Sequence, residues 1–418
     1  MRFVRFALLI TAAVVSGRAQ EARYIGAGGC SGSNCHGGTS PLNEKDSRIQ
    51  GNEYAIWSLN DKHSRAYKVL SEPRSKRMAE ILNIANPQTD KRCTSCHAVG
   101  SPERSKSDGV ACEACHGAAE KWLGPHTQAN SHSASVAAGM IDTKAPRVRA
   151  ATCLGCHIGG SDRVVDHELI AAGHPDLNFE LDTFGAAQPA HYREPKPQDG
   201  NTLPRVRVWA VGQASALGEG MRLLAMRAAR RWPEFSELEC YQCHHDLRLD
   251  SWRIQRGYGG RRPGSLQANL ARTEVVRVLS AQAAPEQNAA LGSALNQVAT
   301  LISTQLNDGT AIAQAANRVA QQADALAARF EKQDFTAAHA KALAAALSAE
   351  VPRIANAGVN AAEVATMSLD SLTAAITGNS AAAQSAVTPL YDYLEHPSTY
   401  QPASFIALFR KAATAAAK

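Results

Sequence analysis

Apolar residues recur at helical spacing through the second half of the chain. Leu291, Leu295, Val298 and Ile302 are separated by four, three and four residues, which is the spacing of one helix face. The same periodicity predicts these helices: 291–302, 312–330, 337–350, 361–376, 380–394 with a break at Pro389 left open, and 403–416. Alanine is abundant on their faces and the loops between them are short, so we predict an antiparallel helical bundle.

The first half is less regular. Glycine, serine, histidine and proline are spread through it, and long periodic runs are few. Residues 50–70 predict a helix that carries His63, and residues 205–231 predict a longer helix that ends before Pro233. We predict a mainly α protein with three parts: a signal peptide at 1–19, an irregular domain of short helices and loops at 20–262, and the alanine-rich bundle at 263–418.

The spacing of the cysteines indicates the chemistry. All ten cysteines fall into five motifs, and each motif ends in histidine. Four motifs are Cys-x-x-Cys-His: Cys93, Cys96 and His97; Cys112, Cys115 and His116; Cys153, Cys156 and His157; Cys240, Cys243 and His244. The first motif, Cys30, Cys35 and His36, has four residues between its cysteines. In this pattern both thiols bond to one haem and the histidine binds its iron, so the sequence predicts five covalently attached haems c.

Two other uses of paired cysteines are weighed against this prediction. Such pairs also bind zinc or act as redox dithiols. Neither role requires a histidine directly after the second cysteine, yet every pair here has one. The wider spacing of Cys30 and Cys35 also leaves a small-loop disulfide open at the first motif. Haems that fill the interior replace an apolar core, which accounts for the irregular first half.

Histidines outside the motifs are candidates for the second axial position on each iron. Seven lie in the first half, and we predict that five are ligands: His63, His126, His167, His174 and His245. His167 and His174 lie two turns apart on a predicted helix, and His245 follows His244 and so points toward a neighbouring haem. His132, in a loop rich in serine and alanine, is the least favoured candidate, and His191 is left open. Two imidazoles on one iron favour low-spin haem of rather low potential.

The order and spacers of the motifs resemble those of a known family. Trp57 and the sequence His63-Ser-Arg-Ala66 follow the first motif, Gly109-Val110 precedes the third, and His126 comes shortly after it. Over residues 30–157 the chain is similar to the multihaem cytochromes c that include the tetrahaem electron acceptor of hydroxylamine oxidoreductase.

The resemblance implies closely packed haems, mostly with two histidine ligands, that act as an electron wire. It also implies that His63 and His126 are distal ligands and that the iron on His97 has an open position. The chain departs from that family in the spacing of its first motif, in its additional motif at Cys240, and in its long C-terminal half.

The N-terminus predicts export. Arg2 and Arg5 precede a short apolar run, and residues 17–19 offer small side chains for cleavage, so a signal peptide is favoured over an uncleaved anchor. No later segment is apolar enough to span a membrane. Loss of Arg2, Arg5 and Arg18 lowers the formal net charge from +6 to +3. Each ferric haem with two ionised propionates adds about one negative charge, so the holoprotein is close to neutral and its charge does not indicate nucleic-acid binding.

We therefore expect a periplasmic or otherwise exported five-haem cytochrome c that transfers electrons between respiratory redox-partner proteins, with no catalytic residue. The main alternative is an oxidoreductase that acts on a small nitrogen or sulfur compound at one open iron. A conducting filament is a third interpretation. For the bundle, the sequence leaves three roles open: support of the haem domain, formation of a homo-oligomer, and docking of a partner.

Overall fold

The computed structural model describes residues 22–42, 49–193, 202–244, 248–250, 254, 262–269, 271–378 and 380–416. The predicted signal peptide lies outside these residues. The described chain consists of α-helices, loops and short 3₁₀ turns, and its only β-type pairing is in isolated bridges such as that between Val99 and Val110. The prediction of a mainly α fold is confirmed. No helix among the described residues is long and apolar enough to cross a membrane.

Short helices dominate the first half. They are α1 Glu53–Asn60, α2 Pro73–Ile81, α3 Lys91–His97, α4 Cys112–His116, α5 Leu123–His126, α6 His132–Ala137, α7 Pro146–His157, α8 His167–Ala171 and α9 Leu181–Ala187. The single helix predicted at 50–70 is wrong, because α1 ends at Asn60. Asp61 has an extended backbone, and its side chain accepts a hydrogen bond from the His63 amide to begin a 3₁₀ turn.

Long helices form the second half. They are α10 Pro204–Arg230, α11 Glu274–Ala283, α12 Pro285–Thr304, α13 Gly309–Glu331, α14 Ala337–Ala357, α15 Val359–Thr377, α16 Ala381–Leu394 and α17 Pro402–Ala416. The predicted helices are confirmed, with small changes at their ends. Helix α14 continues through Pro352 and α16 through Pro389, while α11 was not predicted.

The main core extends beyond the predicted bundle. Helix α10 packs along α13, and buried residues of both belong to one apolar cluster that reaches α17. At Gly218 an added Cβ would lie 3.2 Å from the Asp324 carboxylate, so a glycine permits this close approach. Arg222 closes the contact by donating to Asp324 at 2.9 Å. Although we predicted the domain boundary at 263, helix α10 is therefore packed as part of the bundle.

A second, smaller core attaches the irregular half to the bundle. Leu154 of α7, Phe179 in the segment before α9, and Leu223 of α10 are buried together. The backbone amide of Arg147, at the start of α7, donates to Glu331 of α13 at 3.1 Å. The bundle thus holds the helix that ends at His157.

Candidate functional site

The cysteine motifs lie in helical turns. Helices α3, α4 and α7 each end at a motif histidine. Helical residues three and four positions apart share a face, so both thiols and the imidazole of a Cys-x-x-Cys-His motif project to one side. The fifth motif begins in a 3₁₀ turn, Cys240–Gln242, where Glu239 accepts from the Tyr241 amide at 3.2 Å.

All ten motif cysteines are free thiols. The disulfide left open for Cys30 and Cys35 is therefore absent from this structure. Eight of the thiols are half-buried, whereas Cys35 of the first motif and Cys243 of the fifth are exposed. Each motif thus retains both of the thiols that haem attachment uses.

Each motif histidine faces a second histidine from elsewhere in the chain. The pairs and the distances between their ring centroids are His36 and His126, 6.3 Å; His97 and His174, 6.5 Å; His116 and His191, 6.4 Å; His157 and His63, 6.2 Å; His244 and His167, 6.2 Å. We call these pairs, with the cysteines of their motifs, sites 1 to 5 in that order.

The spacing of the rings fits an iron ion between them. Metal–nitrogen bonds of about 2 Å, added to roughly 1 Å from each nitrogen to its ring centroid, separate two axial imidazoles by about 6 Å. One such distance is ordinary for aromatic neighbours. Its recurrence at every motif, between 6.2 and 6.5 Å, indicates one common bridging group.

The ring planes divide the five sites into two classes. The two imidazoles are nearly perpendicular at sites 2, 3 and 4, with interplanar angles of 87°, 89° and 90°. They are closer to parallel at site 1, 16°, and at site 5, 30°. Such a difference in ligand orientation changes the ligand field of a low-spin iron, so it offers a spectroscopic distinction between the classes.

Four of the predicted distal histidines occur in these pairs: His63, His126, His167 and His174. His191, which the sequence left open, pairs with His116. It lies in a loop after Pro189, where no periodicity marks it, and only the count of candidate histidines pointed to it. The Nε2 atom of His132 instead lies 3.2 Å from Asp142 Oδ1. His245 lies outside the described residues.

Backbone carbonyls hold several of the imidazoles. The Nδ1 atom of His97 lies 2.9 Å from the Ala66 carbonyl oxygen, and that of His174 lies 2.8 Å from the Pro175 oxygen. The same contact joins His126 to the Leu123 oxygen at 2.5 Å. Because a carbonyl oxygen can only accept, Nδ1 carries the hydrogen, and Nε2 is left as the lone-pair donor for a metal.

Carboxylates hold two other imidazoles. His36 Nδ1 lies 3.0 Å from Glu53 Oε2, and His63 Nδ1 lies 3.0 Å from Asp61 Oδ1. Burial by itself would raise the pKa of each carboxyl. Hydrogen bonds from the imidazole and from backbone amides outweigh burial and lower the pKa of both Glu53 and Asp61 to about 2.

Two half-buried motif histidines have surroundings that favour the neutral imidazole. Burial lowers the pKa of His116 to about 4, with a smaller contribution from His191. Burial and the neighbouring His63 lower the pKa of His157 to about 4. A neutral imidazole is the form that binds a metal, so both side chains are ready to act as ligands at neutral pH.

Contacts between motifs place the sites in a series. The thiols of Cys96 and Cys156 lie close enough to interact, which places sites 2 and 4 next to each other. Cys115 interacts electrostatically with Cys156, which joins sites 3 and 4. The thiols of Cys30 and Cys112 lie close enough to interact, which places sites 1 and 3 next to each other.

Site 5 adjoins site 2 through one short segment. Residues 167–174 supply His167 to site 5 and His174 to site 2. Arg92, beside Cys93 of site 2, pairs with Asp166 at 3.5 Å and Glu168 at 3.2 Å on both sides of His167. The five sites therefore follow the order 5, 2, 4, 3, 1.

Site 5 is held from the bundle side. Glu234 accepts a hydrogen bond from the His167 amide at 2.9 Å. The guanidinium of Arg227, at the end of α10, is buried; it donates to the Val165 carbonyl at 2.7 Å and pairs with Glu237. This helix end thus ties the segment before His167 to the segment before the fifth motif.

Comparison with known proteins finds one family that matches part of the chain. Residues 30–117 match the family of cytochrome c554 and c-prime. The matched stretch contains the first three motifs and His63. No curated protein and no solved structure matches the chain.

The family match supports a c-type cytochrome that functions in electron transfer and binds haem c covalently. It covers a shorter stretch than the resemblance over 30–157. The relation to the electron acceptor of hydroxylamine oxidoreductase stays a prediction.

Proposed function

We propose that this chain is an exported five-haem cytochrome c that carries electrons between redox-partner proteins. The pairing of every motif histidine with a second histidine carries the proposal. Each haem c would be bound through the two cysteines of its motif and through the two histidines of its site. His191, which the sequence left open, is the fifth proposed partner, and the prediction for His245 stays a prediction.

The pairs favour electron transfer over catalysis. Haem supplies one-electron redox chemistry when bound, and the protein sets its ligation, its surroundings and its distance from the next site. Where two imidazoles occupy both axial positions, no position is open for a substrate. The chain's own residues then have no proton to transfer; they hold the ligands and exclude water.

The order of the sites suggests a path with two ends. Sites 2, 4 and 3 lie in the interior of the series, and their cysteines are half-buried. The two exposed cysteines, Cys35 and Cys243, belong to sites 1 and 5 at its ends. We propose that one redox partner docks near each end.

Haem content and an electron paramagnetic resonance (EPR) spectrum of the oxidised holoprotein test the proposal on one sample. We expect five haems per chain and no high-spin signal. Three low-spin haems belong to the highly anisotropic class that perpendicular imidazoles produce, and two to the rhombic class that near-parallel imidazoles produce. Fewer than five haems, or a high-spin signal that nitrite or hydroxylamine alters, would contradict the electron-carrier function.

A further inference from the structure

The five sites differ in what holds their imidazoles. At site 1 the Nδ1 atom of His36 faces the Glu53 carboxylate, and at site 4 that of His63 faces the Asp61 carboxylate, both at 3.0 Å. At site 2 both Nδ1 atoms face backbone carbonyls, those of Ala66 and Pro175. Sites 1 and 4 thus place a full negative charge where site 2 has neutral dipoles.

Asp61 is buried and fully engaged. Only 3% of the surface of Asp61 is exposed to solvent. Its Oδ1 accepts from the amide and the Nδ1 of His63, both at 3.0 Å, and its Oδ2 accepts from Gln188 Nε2 at 3.0 Å. With N–H donors at both oxygens, the ionised carboxylate is the form that satisfies this network.

Glu53 is engaged in the same way at site 1. Its Oε1 accepts from the backbone amides of Gln50, at 2.5 Å, and Gly51, at 3.1 Å. Its Oε2 is left for His36. The side chain is 16% exposed, so water screens its charge more than that of Asp61.

A carboxylate on Nδ1 acts on an iron through the imidazole between them. It draws the Nδ1 hydrogen toward itself and makes the imidazole a stronger electron donor. A stronger donor, and a nearby negative charge, both favour ferric over ferrous iron. We propose that Asp61 and Glu53 are positioning residues that lower the reduction potentials of sites 4 and 1 below that of site 2. This inference rests on the proposed haem ligation.

The reduction potentials are then expected to differ from site to site along the series. In the order 5, 2, 4, 3, 1, site 4 lies at the centre and site 1 at one end. Electrons that enter the series therefore occupy site 2 in preference to its neighbour at site 4. The carboxylates thus govern where a partly reduced protein stores its electrons.

Asp61→Asn in the holoprotein tests the inference by an EPR-monitored redox titration. Asparagine is a good cap for the turn that begins at Asp61, and its oxygen still accepts from His63. We expect the reduction potential of one of the three highly anisotropic components to rise by about 59 mV, which is a tenfold change in its ferrous-to-ferric ratio. Its g-values change as well, because the donor strength of the ligand changes.

Gln188→Ala is the matched control. It removes a hydrogen bond from the same carboxylate but keeps the charge and the contact with His63. Without Gln188, the Asp61 carboxylate has one hydrogen-bond donor fewer and stays available to His63. We therefore expect no component to rise in reduction potential. An upward shift equal to that of Asp61→Asn would assign the effect to disturbed packing and overturn the inference.

Glu53→Gln provides an independent test at site 1. We expect one of the two rhombic components to move upward while the highly anisotropic class stays unchanged. If Asp61→Asn fails to assemble, this variant still decides. Unchanged potentials in a variant with five low-spin haems would overturn the inference and leave the proposed function standing, whereas a wild-type protein without five low-spin haems would refute the proposed function itself.

Discussion

In the proposed five-haem protein, the second histidine of each site decides whether its iron has an open coordination position. The family resemblance implied an open iron at His97. In the structure the ring centroid of His174 lies 6.5 Å from that of His97, and the Pro175 carbonyl fixes its orientation. We therefore expect the iron of site 2 to have two histidine ligands, as we propose for the other four sites.

Removal of His174 creates the open position that the wild type lacks. We expect His174→Ala to keep five haems and to convert one highly anisotropic low-spin signal into a high-spin signal, because His97 alone then holds that iron. Added imidazole restores the low-spin signal. The control is His132→Ala, since His132 pairs with Asp142 and faces no motif histidine. A low-spin spectrum in His174→Ala would mean that another side chain is the ligand.

At the residue scale, the sequence predicted the cysteine–histidine motifs better than it predicted which histidine faces each motif. Each motif is local, so its cysteines and histidine were readable from spacing alone. Pairing is a tertiary property. His116 and His191 are brought together by the fold across a long stretch of chain, and nothing near His191 in sequence marks it. His63 was easier to single out, since it lies in a recognisable spacer, although the turn that carries it is not part of a longer helix.

Helix α10 meets α9 through a glycine. A Cβ added at Gly212 would lie 2.6 Å from the Cβ of Leu181. This is too close for two non-bonded carbon atoms, so one of the two helices would have to move. At Gly185 in α9 an added Cβ has no neighbour within 4 Å. These two helical glycines therefore separate the effect of packing from that of helix propensity.

We expect Gly212→Ala to lower the free energy of unfolding by roughly 1–3 kcal/mol, because the clash must be relieved by shifting α9 away from α10. Gly185→Ala gains helix propensity without a clash, so we expect it to raise the free energy of unfolding by up to about 1 kcal/mol. Denaturant unfolding of both variants measures the difference. Stabilisation by Gly212→Ala would show that the two helices are not in close contact.

Glu180 caps α9 and joins it to the bundle. Its carboxyl accepts from the amides of Asp182 and Thr183 and from the hydroxyl of Ser371 on α15. Burial and the charge of Asp182 raise the pKa of Glu180 from 4.5 to about 7. A raised pKa means that the folded state binds this proton more tightly than the unfolded state does.

Stability is then expected to fall as the pH rises. The contribution of Glu180 is fully present below pH 4.5 and is lost as the pH passes 7, a loss of roughly 1–3 kcal/mol. Asp61 and Glu53, whose pKa values are about 2, titrate below this range. Denaturant unfolding at pH 5 and pH 8 measures the difference, which we expect to be smaller in Glu180→Gln. An equal difference in both proteins would assign it to other groups.

Helices could be predicted where apolar residues recur at helical spacing over many residues. Residues of α13 from Ile312 to Phe330 form one buried stripe, so the pattern alone located that helix. The stretch at 50–70 has a similar pattern, but Asp61 caps a new turn inside it, because a short polar side chain competes for the backbone amides. Local hydrogen bonding of this kind is not visible in the spacing of apolar residues.

The whole molecule joins the series of histidine-pair sites to a bundle of long helices. Helix α10 belongs to the main core, touches α7 in the smaller core, and ends beside the segments that hold site 5. The division predicted at 263 stays a prediction, although this helix, on its N-terminal side, packs in the main core with helices of the bundle.

Loss of one terminal site tests the order of the series. We expect Cys240→Ser combined with Cys243→Ser to hold four haems and to keep all three highly anisotropic signals, because site 5 adjoins only site 2 in the series. The rhombic class then falls from two haems to one. Haem content and the EPR spectrum check both points. Loss of more than one haem would show that site 5 is needed to build the interior of the series.

The contacts between thiols of different motifs bear on how the protein is made. In the folded chain Cys30 lies against Cys112, and Cys96 against Cys156. An exported protein matures in an oxidising compartment, where neighbouring free thiols become disulfides. A chain that folded before it received its cofactors would lock these four cysteines into cross-links between motifs and lose the capacity to attach haem. If the chain is exported and binds haem as proposed, we expect attachment to precede folding, with the thiols kept reduced until then.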